Sequence, residues 1–296
     1  MRSAIIALAL LVTTAAPAAS QEAASKPDRV TSTVRPVELP RLFNVPTAEV
    51  LGSLDAFVTA GGSFGAEKEK SFLGRAGIGL GDVAEIELST LSVINSLQAN
   101  SVSIPTSAFK MRVFREKGTR PSAALALRGT TSWQHLTSEE GGYASFEMRL
   151  TKLYAVASKS IGTAVLHGGV GLTDVRVRRP FGWSVEDSSG REMQKNLVSP
   201  FAGVSVRANP RTLVMGEVEG VPQFDFETRG VHGPDAVKTV WAGVVGVRFY
   251  LATWLATDAG VRYRSDFDGI ADANIHAALN VLLPLGGTGR HDPAAR

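Results

Sequence analysis

The chain contains no cysteine, which excludes a disulfide scaffold, a thiolate nucleophile and any cysteine-ligated metal. Charge is sparse: charged residues are 20% of 296 positions and hydrophobic ones 44%, the wrong balance for a disordered chain. Neither sign is in excess, since Lys+Arg 31 against Asp+Glu 28 gives +3. That balance excludes a dedicated nucleic-acid binder. Long apolar runs are also missing. After the N-terminal stretch no segment reaches the ~20 apolar residues a spanning helix requires, so no transmembrane helix is expected in the mature chain.

The N-terminal stretch itself has the pattern of a secretory signal peptide. Met1-Arg2 supplies a positive charge, Ala4 to Val12 an apolar run, and Ala15, Ala16, Pro17, Ala18, Ala19 and Ser20 the small residues before a cleavage site. Then follows a polar lead-in with Pro27, Pro36, Pro40 and Pro46, a spacing hostile to helix and to central strand. The end of this lead-in, Arg41 to Ala48, reads either as extended chain or as a short plug or collar.

From about Glu49 the sequence alternates with period two. Ile86 and Leu88 oppose Glu85 and Glu87; Phe109, Met111 and Val113 oppose Lys110 and Arg112; Leu125 and Leu127 oppose Ala126 and Arg128. The second half continues it, with Phe146, Met148, Leu150, Tyr154 and Val156 against Glu147, Arg149 and Thr151, and Ile275, Ala277 and Leu279 against His276 and Ala278. Such alternation marks strands with one apolar and one polar face. About twelve such strands are predicted, most near the ~9–11 residues a tilted membrane strand needs. Lys152 breaks the pattern, on the apolar parity in mid-strand; either a bulge re-aims it or the register there is inverted.

The connections alternate in length. Gly81-Asp82, Glu116 to Pro121, Ser158 to Gly162, Ala208 to Arg211 and Tyr250 to Thr253 are short, and those between them are mostly longer. A soluble sandwich has no reason to sort its turns by parity, whereas outer-membrane barrels do. With these features together the chain resembles a Gram-negative outer-membrane β-barrel. The final strand, with His276, Ala278, Val281 and Leu283, is similar to the assembly signal of that class, although a tail rather than an aromatic residue ends the chain. Asn44-Val45-Pro46-Thr47-Ala48 is similar, over that one motif, to barrel proteins linked to exopolysaccharide export.

The resemblance implies an all-β, antiparallel up-and-down transmembrane β-barrel of about 12 strands, with short periplasmic turns and longer extracellular loops. It implies residues 1–20 as signal peptide, 21–47 as Pro-rich periplasmic lead-in, 48–284 as barrel and 285–296 as polar tail. Both termini are then periplasmic. The expected partners are outer-membrane lipid, the barrel-assembly machinery and small polar solutes, with no nucleic acid and no cofactor.

On this reading the lumen is lined by Arg75, Glu85, Glu87, Lys110, Arg112, Arg128, Glu147, Arg149, His167, Glu217, Glu219, Asp258, Arg262, Arg264 and His276. The membrane interfaces carry Phe72, Phe109, Trp133, Phe146, Tyr154, Trp241, Phe249, Trp254 and Tyr263. The nearly cancelling lumen charges suit a water-filled passage with charged rings or a salt-bridged plug. The five histidines have no metal-ligand spacing, so no metal is expected. Three functions follow: a narrow porin-like channel for small polar solutes, a non-conducting structural or assembly barrel, or a lipid-active enzyme at the rim near Ser132 and His135. The last lacks a third partner, and the two side chains have opposite parity.

Overall fold

The computed structural model describes residues 38–65, 71–94, 102–130, 132–137, 143–178, 192–224 and 237–285. The signal-peptide reading and the polar tail beyond 285 lie outside the described residues. Strands follow one another along the chain: β1 (Asp55–Phe64), β2 (Ser71–Leu80), β3 (Ala84–Ile94), β4 (Val102–Phe114), β5 (Ser122–Thr130), β6 (Ser132–Thr137) and β7 (Tyr143–Ile161). They continue with β8 (Ala164–Arg178), β9 (Glu192–Asn209), β10 (Thr212–Phe224), β11 (Val237–Ala252), β12 (Leu255–Arg264) and β13 (Asn274–Pro284).

Each strand pairs antiparallel with its sequence neighbour, and β1 pairs with β13 from Asp55↔Pro284 to Phe64↔Ile275. β5 and β6 both pair with β7 and are two stretches of one strand, so the sheet is a closed barrel of twelve strands. Closure leaves no free edge around the middle of the wall, where strands pair on both sides as a structure surrounded by hydrocarbon requires; toward the long-loop end β6 and the first half of β9 pair on one side only among the described residues.

The barrel has a short-turn end and a long-loop end. At the first, β2 and β3 are joined by a hairpin turn in which Gly81 (φ 66°) and Asp82 (φ 59°) are both left-handed, the geometry whose twist matches the flanking strands. Gly162 (φ 61°) serves the β7–β8 turn. The start of β1 and the end of β13 lie at this same end. In the turn between β4 and β5, Glu116 accepts hydrogen bonds from Lys159 Nζ at 2.6 Å and from the Ser160 amide at 3.1 Å. These hold its carboxyl below the usual carboxylate range, the Lys159 bond contributing most.

The outer face is apolar and open to its surroundings. Leu88, Leu127, Leu153, Leu172, Val198, Val245, Val261 and Ile275 are all exposed and come from strands all around the wall. A continuous apolar belt of this extent is foreign to a soluble monomer and normal for a barrel that meets lipid. Trp241, Phe249, Trp254, Tyr263 and Phe109 are exposed on this face. Phe109 pairs with Ile86, two residues from the β2–β3 turn, so it belongs to the short-turn side. The side chains of Phe72, Trp133 and Phe146 lie outside the described residues.

Strand β7 runs with the opposite parity to that expected. Leu153 and Ala155 face out, while Leu150, Tyr154 and Val156 are buried inside. Its pairings with β5 and β8 contain no register shift, so Lys152 points inward through parity and not through a bulge. Two assignments change with it: Tyr154 is an interior residue and not an interface aromatic, and Arg149 is exposed and not in the lumen. The side chain of Glu147 lies outside the described residues. The apolar residues that misled the pattern face an interior that has its own core.

Candidate functional site

That core is made by the chain ahead of β1. Residues 38–52 run into the barrel from the short-turn end. Near the entrance Glu38 pairs with Arg207, and Glu49 pairs with Arg112 at 3.0 Å. Inside, Arg41 and Pro46 form an antiparallel bridge, closed by Leu42 N–H to Val45 O at 2.9 Å and Thr47 N–H to Pro40 O at 3.1 Å. The result is a tight hairpin with Phe43 and Asn44 at its tip. The chain then leaves past β2, where Leu54 (φ 59°) turns it into β1. Of the two readings of Arg41 to Ala48, the structure has the plug.

A buried segment without regular structure leaves its amide and carbonyl groups to be satisfied elsewhere. Here the barrel wall satisfies them with side chains. The Glu217 carboxylate accepts hydrogen bonds from three consecutive N–H groups, those of Phe43, Asn44 and Val45, at 2.9–3.0 Å. Ser158 Oγ accepts from Ala48 N–H at 2.9 Å, and Glu85 from Leu51 N–H at 3.0 Å. The carbonyls are met by cations. Arg75 donates to Phe43 O at 2.9 Å and to Asn44 Oδ1 at 3.1 Å. Arg248 reaches Arg41 O at 3.2 Å and Leu42 O at 2.9 Å, and Lys110 reaches Pro40 O and Thr47 O, both at 3.3 Å. Five N–H groups and five carbonyls of one short segment are thus taken up by six wall residues. Chance packing does not produce such a match.

Two of these cations, and one cation of the plug, are themselves paired with carboxylates. Arg248 holds Asp258 through two bonds of 2.7 and 2.8 Å, Lys110 holds Glu85 at 2.9 Å, and Arg41 of the plug is paired with Glu87. All six side chains are almost completely buried. Burying a charge is costly unless it is paired or hydrogen-bonded; Arg75 has the Phe43 carbonyl and the Asn44 amide oxygen in place of a carboxylate. Apolar contacts complete the seat: Leu42, Phe43, Val45 and Ala48 pack in one cluster with Ala124, Ala126, Tyr154, Val156, Phe201, Met215, Val244 and Tyr250. The Phe43 ring meets His276 edge-on, with centroids 5.4 Å apart.

The remaining charged residues expected in the lumen fall into two groups. Arg75, Glu85, Glu87, Lys110, Arg112, Glu217, Asp258, His167 and His276 surround the plug or its entrance. His167 Nδ1 lies 2.8 Å from Ser158 Oγ, the hydroxyl that holds Ala48. Arg128, Glu219, Arg262 and Arg264 face inward closer to the long-loop end, where Arg264 holds Asp266 at 2.6 Å. Among the described residues no cluster of three His, Cys, Asp or Glu side chains could hold a metal. The side chains of Ser132 and His135 lie outside the described residues. Sequence pattern missed Arg41, Ser158 and Arg248 as plug contacts. Arg248 carried a signal, an arginine on the inward parity of a strand with weak facial contrast.

No family model matches the chain, and no curated protein matches it. Solved structures do match, and outer-membrane β-barrels are among them. The translocator domain of the autotransporter NalP from Neisseria meningitidis is 12% identical, with 79% of this chain and 88% of that chain covered and a TM-score of 0.44. OmpT, an outer membrane protein of Vibrio cholerae, is 9% identical over 77% of this chain and 98% of that chain, with a TM-score of 0.41. The toluene transporter TodX of P. putida is 10% identical over 77% and 87%, with a TM-score of 0.32. At these scores the matches say nothing of a role for this chain, and the plug has to be interpreted from its own contacts.

Proposed function

We propose that the protein is an outer-membrane β-barrel that is closed at rest by its own residues 38–52 and passes small polar solutes when that segment leaves. The observation that carries this reading is the division of labour between sheet and plug. The wall closes through β1 and β13 without any help from the segment, which adds no strand and is held by side chains apart from the Asp55 N–H to Gly52 O bond where it joins β1. Its departure therefore leaves the barrel intact and uncovers a wall of alternating charge, with Arg75, Lys110 and Arg248 near Glu85, Glu217 and Asp258. Charges of this kind set ion preference in a narrow passage. On this reading lipid surrounds the apolar belt, the barrel-assembly machinery inserts the chain, and the short-turn end with both chain ends is periplasmic.

The density of buried ion pairs around the plug favours one other reading, a permanently closed structural barrel. Planar-bilayer conductance separates the two. The purified full chain is expected to be mostly silent, and a variant lacking residues 38–52 to carry steady current. A deletion variant that folds, shows a heat-dependent gel shift and still carries no current overturns the channel.

A further inference from the structure

On the loop side of the plug, the wall carries a second constellation that the closure of the barrel does not use. We propose that Arg128, Lys152, Thr173 and Ser199 form a binding site in the lumen for the carboxylate or phosphate group of a small solute.

Arg128 and Lys152 are direct cross-strand partners on β5 and β7, and Lys152 is in turn opposite Thr173 on β8. All three face inward. Two like charges placed opposite each other weaken a sheet, and among the described residues no carboxylate is hydrogen-bonded to Lys152 to offset the conflict. Among the described residues Arg128 has one bond, 3.3 Å to Glu87, and that carboxylate is shared with Arg41 of the plug. Lys152 makes no hydrogen bond among the described residues, its ammonium lying 5.7 Å from the centre of the Phe201 ring. Glu219 is the other carboxylate on this side, with no hydrogen bond to Lys152 among the described residues. Arg128, Lys152 and Arg41 of the plug thus stand with the carboxylates Glu87 and Glu219.

The neutral donors point the same way. The side-chain oxygens of Thr173 and Ser199 are buried and have no hydrogen-bond partner among the described residues, and neither has Arg128 Nε. Such groups are costly to bury unmet. They lie on one patch of wall. Ser199 pairs with Gly171, and a Cβ built at Gly171 would stand 2.5 Å from Lys152 Cε, so the lysine runs over that glycine toward Ser199. The absence of a side chain at Gly171 is what gives it room. Two cations, two hydroxyls and a free guanidinium N–H match an oxyanion, which accepts several charge-assisted hydrogen bonds at once. Residues 38–52 fill the barrel below this patch, so a solute reaches it from the long-loop side. The site belongs to the closed barrel, and equilibrium binding tests it independently of conductance.

The test is calorimetric titration of the full chain, folded in detergent, with inorganic phosphate and separately with glucuronate. Saturable heat from one or both is expected, with affinity at least tenfold weaker in Lys152→Met and in Thr173→Val, and unchanged in Lys159→Gln at the short-turn end. Binding of phosphate alone assigns the group to a phosphorylated solute, and binding of glucuronate alone to an acidic sugar. Without ligand, Lys152→Met should keep or raise the temperature of the gel-shift transition, because it removes a repulsion. No heat with either probe, equal binding by Lys152→Met, or a lowered transition in that variant without ligand overturns the site.

Discussion

Arg248 and Asp258 pair through two hydrogen bonds across β11 and β12, and the same guanidinium holds two carbonyls of the plug. Wall and plug therefore share one cation. Asp258→Asn leaves that cation buried without its counter-charge, a change of about 3–5 kcal/mol when a buried pair loses one partner. The gel-shift transition should fall markedly in Asp258→Asn. Arg248→Met should fall too and should also conduct, since it frees Arg41 O and Leu42 O. Silence of a folded Arg248→Met in bilayers would show that the plug does not depend on this residue.

Gly203 offers a way to push the plug without touching charge. A Cβ there would stand 2.3 Å from Leu42 Cδ1. Gly203→Val should displace the hairpin, at a cost of about 1–3 kcal/mol for overpacking, and raise the bilayer current. Leu42→Ala in the same chain should restore closure. Equal currents in the single and double variants would place the effect in the wall and not in the plug.

Phe43 tests the apolar share of the seat. Its ring is 3% exposed against His276 and the interior cluster. Phe43→Ala removes contacts worth about 3–5 kcal/mol for a buried aromatic. Frequent openings are expected in single-channel records, with an unaltered gel-shift transition because the sheet closes without the plug. A lowered transition without openings would mean that Phe43 stabilises the wall alone.

The inverted register of β7 is open to a direct check. A nitroxide at Ala155→Cys should be accessible to oxygen from the lipid phase, and one at Val156→Cys should not. The natural chain has no cysteine to interfere. The reverse accessibility would restore the parity expected from sequence.

Glu116 governs acid behaviour at the short-turn end. Its pKa is lowered by the Lys159 and Ser160 bonds, so its contribution is complete above the ordinary glutamate range and is lost as pH falls through the lowered value. The protection factor of the Ser160 amide, taken against its intrinsic exchange rate at each pH, should fall on acidification in the natural chain. In Glu116→Gln it should be low already at neutral pH and change little with acid.

The wall was legible in the sequence where one face meets lipid and the other meets charge. Strands such as β3, with Ile86 and Leu88 outside and Glu85 and Glu87 inside, announce both their type and their orientation. Legibility fails where the interior is apolar. On β7 the inward Leu150, Tyr154 and Val156 and the outward Leu153 and Ala155 are equally apolar, and periodicity has no contrast to use. Lys152 was the one residue that marked the error. The plug shows the same limit: Arg41 to Ala48 allows a plug or an extended chain, and only the distant partners Glu217, Arg75 and Arg248 decide between them. Local pattern carries no information about a contact made across 170 or more residues, such as the 174 between Phe43 and Glu217.

That separation also orders events during biogenesis. The segment that fills the barrel is synthesised before any of its wall, while the carboxylate that receives its tip lies on β10. Bringing ends so far apart together costs entropy that grows with the length between them, and no local contact precedes it. The hairpin must either wait inside the curling sheet until β10 arrives, or thread in from the short-turn end after β1 has met β13. In the first case the segment acts as a mandrel around which the wall is wound, and chains lacking it should assemble more slowly. In the second they should assemble at the normal rate, and the newborn barrel passes through an empty, leaky stage before it seals itself.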